Sequence, residues 1–352
     1  MKPVRCGSSR RTAAVLVGAS AAALLVPGSS AAPAAGGSPA ACPSRSGAEI
    51  VQRVRLPGRP GFLLLRGRTL WVAIAADRPG GRGRLARVDT RTGRVERIFR
   101  LPSNPYQIAY GFGSLWVTGE VRPASRRFAG VLRVDPQTGR VLRVIRGRLL
   151  GSKLAATPDG IWVGGADVYP PGRPFEAGVR YVLEIDPRRN AVVRTVRLPG
   201  TTVIDLLAER RAVWATGWGG VVKLSRTGRV LFRQPFYGSG WAMARAAGAA
   251  WVAQPFSGTR DPRTQRQARR LLKVSLRPRR LTVVELDDPP GDVSAAGGVV
   301  WLGTRTLARV DVGGSPPAPR PLGLDVHPNQ IAAFPGGAWI DELGTRTLSK
   351  VC

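Results

Sequence analysis

Seven tryptophans at nearly regular intervals constrain this chain more than any other feature. They stand in Leu70-Trp71-Val72, Leu115-Trp116-Val117, Ile161-Trp162-Val163, Val213-Trp214-Ala215, Ala250-Trp251-Val252, Val300-Trp301-Leu302 and Ala338-Trp339-Ile340. The gaps between them are 45, 46, 52, 37, 50 and 38 residues. A period of about 40–50 residues is that of four-stranded units, none of which can bury its apolar face alone, so that neighbours stack. Only Trp218 and Trp241 of the nine tryptophans fall outside the period.

A second element follows each of these tryptophans. Its clearest copies are Leu85-Ala-Arg-Val-Asp89-Thr-Arg-Thr-Gly93-Arg-Val95 and Leu132-Arg-Val-Asp135-Pro-Gln-Thr-Gly139-Arg-Val141. Leu183-Glu-Ile-Asp186-Pro-Arg-Arg-Asn190 and Val222-Lys-Leu-Ser225-Arg-Thr-Gly228-Arg-Val230 repeat it, and weaker copies begin at Leu272 and Leu307. Alternating apolar and charged residues form a strand with one buried face. Asp then opens a turn by accepting backbone N–H groups, and Gly or Asn supplies the positive φ before the next strand. Each unit therefore reads as a small-residue inner strand, a Trp strand, a strand ending at Asp and an Arg-rich outer strand.

Stacked in sequence, seven such units make an all-β, seven-bladed β-propeller of four-stranded antiparallel blades over residues 49–352. The last unit ends at Leu348-Ser-Lys-Val351-Cys352 without an outer strand, while Glu49-Ile-Val-Gln-Arg-Val-Arg-Leu56 is an outer-type strand with no unit before it. Strand 49–56 is expected to join the last blade and close the ring. That pairing brings Cys42 close to Cys352, and an even pair of cysteines in an exported chain reads as a disulfide.

Export is expected from the N-terminus. Lys2, Arg5, Arg10 and Arg11 precede an apolar run of 14 residues, Ala13–Val26, followed by small residues. This is a signal peptide over residues 1–34, carrying Cys6, with a short linker 35–48 that holds Cys42. Lipidation at Cys42 is the alternative, since Ala40-Ala41-Cys42 resembles the end of a lipobox. Pro39 and the distance from the apolar run oppose it. The expected product is secreted or held at the cell envelope, is monomeric, and has no transmembrane segment after cleavage.

The formal net charge is +32, yet only five of the 54 basic residues are Lys. Arg is scattered through every segment beside abundant Ala, Gly and Pro, which reads as a solvated basic surface shaped by composition. Nonspecific adhesion to an anionic polymer is a physical consequence of that charge.

The repeats, typified by Leu115-Trp116-Val117 and Leu132-Arg133-Val134-Asp135-Pro136-Gln137-Thr138-Gly139-Arg140-Val141, resemble bacterial YVTN/NHL-type propellers. More narrowly, they resemble the virginiamycin B lyase-like superfamily. The resemblance covers residues 49–352 and implies the fold. It also implies an extracytoplasmic carbon–oxygen lyase using a metal ion with histidine and glutamate at the channel mouth. This chain has one histidine, His327. With no multi-histidine site, Cys/His cluster or phosphate loop, no catalytic residue, metal or cofactor is assigned. The expected function is non-catalytic binding of a protein, peptide or small ligand. The alternatives are the lyase and Arg-driven adhesion to an envelope polymer or nucleic acid.

Residues entering the inner strands should converge on the channel mouth. They are Arg59, Asn104, Tyr106, Lys153, Asp205, Trp241, Asp292, His327 and Asn329. The same face should carry long loops over 76–84, 119–130, 164–180 and 254–270, rich in Arg and aromatics such as Arg122, Phe128, Tyr169 and Arg263.

Overall fold

The computed structural model describes Cys42 and residues 47–78, 81–121, 128–146, 150–165, 181–258, 265–314 and 317–352. The expected signal peptide and most of the linker lie outside the described residues, which hold 28 strands and no helix. Strand β1 (Ile50–Arg55) is the first among the described residues. Blade 1 follows as β2 (Pro60–Arg66), β3 (Thr69–Ile74), β4 (Arg84–Asp89) and β5 (Val95–Arg100). Blade 2 is β6 (Asn104–Gly111), β7 (Ser114–Val121), β8 (Phe128–Val134) and β9 (Val141–Arg146). Blade 3 is β10 (Leu150–Ala156), β11 (Ile161–Gly165), β12 (Tyr181–Asp186) and β13 (Ala191–Arg197). Blade 4 is β14 (Asp205–Glu209), β15 (Ala212–Gly217), β16 (Gly220–Ser225) and β17 (Val230–Gln234). Blade 5 is β18 (Ala242–Ala246), β19 (Ala249–Ser257), β20 (Arg266–Leu276) and β21 (Arg279–Glu285). Blade 6 is β22 (Asp292–Ala296), β23 (Val299–Gly303), β24 (Leu307–Val310) and β25 (Pro319–Pro321). Blade 7 adds β26 (Pro328–Phe334), β27 (Gly337–Glu342) and β28 (Thr347–Val351).

Every blade is a four-stranded antiparallel sheet in sequential order, except the last, whose order is β1-β28-β27-β26. Strand β1 pairs with β28 from Ile50↔Val351 to Arg55↔Thr347. Glu49 and Cys352 then exchange both backbone hydrogen bonds at 3.0 Å. Beyond them Cys42 is bonded to Cys352 across 310 residues of sequence.

The core lies in seven seams between blades, each with one repeat tryptophan. At the first, Trp71, Phe99 and Leu101 of blade 1 meet Ile108, Leu115 and Val117 of blade 2. At the last, Trp339 and Phe334 of blade 7 meet Leu63, Leu70 and Val72 of blade 1, so the ring is closed by the same packing that builds it. All seven tryptophans are at most 4% exposed. Each contributes about 4–6 kcal/mol of gross burial free energy.

The turn chemistry read from sequence is present. Asp89 Oδ1 accepts the N–H groups of Arg91 (2.9 Å) and Thr92 (2.7 Å), and Asp135 Oδ1 those of Gln137 (2.7 Å) and Thr138 (3.2 Å). These backbone donors hold both carboxyls below their usual range. The expected loop 254–270 is a correction: much of it is strand, because β19 and β20 extend as a hairpin to Ser257↔Arg266. The loop residues Arg122, Tyr169 and Arg263 lie outside the described residues, and Phe128 begins β8.

These turns also dock on the preceding blade. Gly139 has φ 72°, and a Cβ there would lie 2.0 Å from Phe99 Cδ1 of blade 1. Gly113 has a similar φ of 69° with nothing within 4 Å of its added Cβ. Gly113→Ala is therefore expected to cost about 1 kcal/mol of backbone strain. Gly139→Ala, which also forces the seam apart, should cost at least about twice that, measured as a shift in denaturant midpoint. Reduction of Cys42–Cys352 should lower the same midpoint, by up to about 5–6 kcal/mol in the chain-entropy account. An unchanged midpoint in reductant would mean that strand pairing alone holds the ring.

Candidate functional site

Inner strands have one edge hydrogen-bonded to the Trp strand and one edge facing the axis, where backbone N–H groups need other acceptors. Seven equivalent positions, each two residues before the partner of a repeat tryptophan, hold Phe62, Gln107, Lys153, Asp205, Ala242, Asp292 and Gln330. All are at most 5% exposed. Three of them reach the free edge of the next blade. Gln107 Oε1 accepts Leu154 N–H at 2.7 Å, Asp205 Oδ2 accepts Met243 N–H at 2.9 Å, and Asp292 Oδ2 accepts Ile331 N–H at 2.7 Å. The result is a buried polar belt around the axis.

Lys153, Asp205 and Asp292 form its charged part. Burial is the largest influence on Lys153 and lowers its ammonium to about 8, against the opposing pull of Asp205 and Asp292. Burial likewise pushes Asp205 well above the usual carboxylate range. Lys153 pulls it down, and Asp292 pushes it further up. Lys153 belongs to blade 3 and Asp292 to blade 6, which share no seam, so this interaction crosses the axis.

The other sequence-predicted residues are placed apart from this trio. Arg59 is exposed, and its carbonyl accepts Ala75 N–H at 3.1 Å. Asn104 Oδ1 accepts Ala76 N–H at 2.8 Å from blade 1. Tyr106 sits half-buried at a bulge between Pro105 and Gln107. His327 is exposed, with Nδ1 2.7 Å from the Arg305 carbonyl oxygen. Asn329 Nδ2 donates to Asp341 Oδ2 at 3.0 Å. Among the described residues, no three His, Cys, Asp or Glu side chains converge in a way that could hold a metal ion. The ion implied by the lyase resemblance therefore has no matching donor set there.

A second feature lies at the end of the ring where the inner strands begin, and of it the sequence reading named only Trp241. Backbone contacts bring together the segments that carry the two tryptophans outside the period, Trp218 and Trp241, and Phe236, Tyr237 and Phe256, an aromatic ledge on blades 4 and 5. Tyr237 is 68% exposed, and the other four rings are half-buried. Trp241 meets Phe256 edge-on at 6.0 Å. The backbone beneath is pinned. Trp218 N–H donates to Thr202 Oγ1 (2.8 Å), Trp218 bridges to Ser239, and Ser239 N–H donates to Phe256 O (2.9 Å). Gln254 Nε2 holds the Tyr237 carbonyl at 3.1 Å. Gly238 has φ 123°, and a Cβ there would lie 2.3 Å from Phe256 O, so the strap needs glycine at this point. The signal in the sequence was the pair of unperiodic tryptophans flanking Phe236-Tyr237-Gly238-Ser239-Gly240.

No protein-family model matches the chain, and no curated protein matches its sequence. Solved structures do match it. The Neurospora crassa Pan2 WD40 domain aligns over 89% of this chain and 97% of its own, with TM-score 0.65 and 12% identity. BamB from Moraxella catarrhalis aligns over 86% and 97%, with TM-score 0.57 and 11% identity. U3-55K aligns over 88% and 99%, with TM-score 0.64 and 12% identity. At such identities the likeness shows the fold alone, a seven-bladed β-propeller.

The belt extends into a titratable group of blade 7. Asp341 accepts Gln330 N–H and Asn329 Nδ2–H, and burial pushes its carboxyl up to about 7. Between the ordinary carboxylate range and pH 7 the folded chain holds a proton that the unfolded chain releases. Stability from this group therefore falls as pH rises through that window. Asp341→Asn keeps an acceptor for Gln330 N–H and removes the titration. Its stability relative to wild type should rise by up to about 4 kcal/mol between pH 4 and pH 8. A pH-independent difference in urea unfolding would contradict this.

Proposed function

We propose that this chain is an exported, non-catalytic binding propeller that takes a protein, peptide or small ligand on the face where its inner strands begin. The aromatic ledge carries the reading. Trp and Tyr offer large, rigid contact area at little entropic cost, and they dominate the centres of binding surfaces. Here Trp218 and Trp241 are the two tryptophans outside the seam cores, and the backbone of the ledge is pinned as a preorganised surface requires. The polar belt lies further in, where Lys153, Asp205 and Asp292 set the field at the axis. Export is supported by the Cys42–Cys352 bond, which suits an oxidising compartment, and by the charged and apolar order of residues 2–26.

The virginiamycin B lyase-like reading rests on the repeats, which are scaffold, and His327 is the chain's one histidine. It asks for a divalent ion whose donors do not converge among the described residues. Titration with magnesium or manganese, followed by tryptophan fluorescence, tests it directly, and a saturable change would revive the lyase.

The binding reading is tested with a photo-crosslinking residue at Tyr237 and, as control, at Phe112, which is 39% exposed in a hairpin at the opposite end of the ring. Exposed to secreted and envelope fractions, the Tyr237 probe should form a discrete adduct that Trp241→Ala abolishes. The Phe112 probe should form none. Equal labelling at both positions, or labelling indifferent to Trp241→Ala, would refute a ledge-centred site.

A further inference from the structure

The outer strands of blades 1, 2 and 3 repeat one charge pattern. Strand β5 carries Arg97 and Arg100, β9 carries Arg143 and Arg146, and β13 carries Arg194 and Arg197. All six are exposed. Register makes them two rows. Arg97, Arg143 and Arg194 stand opposite Arg87, Arg133 and Glu184, the third-strand residues that face the tryptophans. Arg100, Arg146 and Arg197 lie three residues further along each strand.

Arginines of blades 1 and 2 also reach across the seams. Arg97 Nη1 donates to the Gln137 carbonyl of blade 2 at 2.9 Å, and Arg133 reaches the Pro187 carbonyl of blade 3 at 2.7 Å. Little acid balances them. Glu96 pairs with Arg87 at 2.8 Å, and Glu184 with Arg194 at 2.9 Å. Among the described residues, Arg100, Arg143, Arg146 and Arg197 have no ion pair. Arg133↔Arg143 also places like charges directly opposite, an arrangement that costs stability unless an anion lies between them. The pattern is complete only in these three blades. At the two equivalent positions β21 has Thr282 and Glu285 and β1, the outer strand of blade 7, has Gln52 and Arg55, while β17 has a single half-buried Arg233 and β25 has three residues.

We propose that the rim of blades 1–3 is a binding track for a linear polymer of phosphate groups without bases. Guanidinium forks match phosphate oxygens, and two parallel rows on a convex surface suit an extended chain of charges. Bases are disfavoured by what the track lacks. Single-stranded nucleic acid binding combines cationic grooves with exposed aromatic stacking surfaces. The one aromatic residue on these strands is Phe99, which is 8% exposed and packed in a seam.

The test compares two quadruple variants of equal charge change. One replaces Arg100, Arg143, Arg146 and Arg197 with Gln. The other replaces Arg210, Arg211, Arg280 and Arg320, exposed arginines of blades 4–6. Binding of inorganic polyphosphate, poly(glycerol phosphate) and oligodeoxythymidylate of matched charge is read by anisotropy across salt concentrations. Matching melting midpoints ensure that both variants are folded. The track variant should lose affinity for the base-free polymers on the order of 100-fold at 0.1 M salt, with the log–log salt slope reduced by roughly 3. The control variant should lose less than about a tenth of that. Whichever base-free polymer binds more tightly identifies the source of the phosphate chain. Equal losses in the two variants would reduce the effect to bulk charge and overturn the track. Tighter binding of the oligonucleotide would overturn the choice of a base-free polymer, and absence of saturable binding would overturn both.

Discussion

A blade of this chain has two apolar faces and no means of covering either. Each seam joins the tryptophan face of one blade to the aliphatic face of the next, as Trp71 meets Ile108 and Val117. Stacking therefore transfers the problem along the chain, and only return to the first blade ends it. Closure is made by β1, the first strand in sequence and the outer strand of the last blade. The Trp339 seam, the Glu49–Cys352 hydrogen bonds and the disulfide all act at that one place. Blade curvature, the axis and everything facing it follow from the ring being shut.

Closure creates a second constraint at the axis. Seven inner strands present free backbone edges to a narrow space where water is scarce, and a buried unpaired N–H is costly. Gln107, Asp205 and Asp292 accept such groups from the following blade. The belt is thus first a solution to a backbone problem. Its chemistry is a consequence, because acceptors that are carboxylates bring charge into a dry place. The Lys153 ammonium feels both carboxyls, and burial moves Lys153 and Asp205 toward their neutral forms. Such a belt is held rigid by the strands that need it.

How much of this was legible in the sequence depends on register. The blades were legible because tryptophan is rare, bulky and periodic. The closure was legible because an orphan strand and a missing strand have one common solution. At the axis, Asp205 and Asp292 were found because each begins its strand in regular pairing. Tyr106 and Asn329 were named where Gln107 and Gln330 occupy the belt, one residue away. In both strands a bulge sits at that step, between Pro105 and Gln107 and between Pro328 and Gln330. An extra residue exchanges the two faces of a strand, and nothing in local composition announces it. Of the ledge only Trp241 was legible, for a different reason. Its five rings come from a tight turn, a strap and a strand end, brought together by backbone contacts that no spacing encodes.

The same register sorts the arginines, which composition alone presents as one undivided excess. In the third strands a cation is paired with the tryptophan in six of seven blades, the exception being Glu184 opposite Trp162. Arg309 lies 4.4 Å from the Trp301 ring centre, Lys223 4.9 Å from that of Trp214, and Arg133 5.2 Å from that of Trp116. These charges are part of the seams, where stem and head group cover an aromatic face. Three of the chain's five lysines, Lys223, Lys273 and Lys350, are used in this way. One strand further out, in blades 1–3, the side chain opposite is an exposed arginine. Charge at that position reaches the next blade only at its surface, as Arg97 does at the Gln137 carbonyl, and it also guards an exposed sheet edge against pairing with another chain. Edge protection needs charge of either sign, whereas blades 1–3 place arginine at both positions of each outer strand. The uniform sign, rather than the presence of charge, is what separates this part of the rim from an ordinary protected edge.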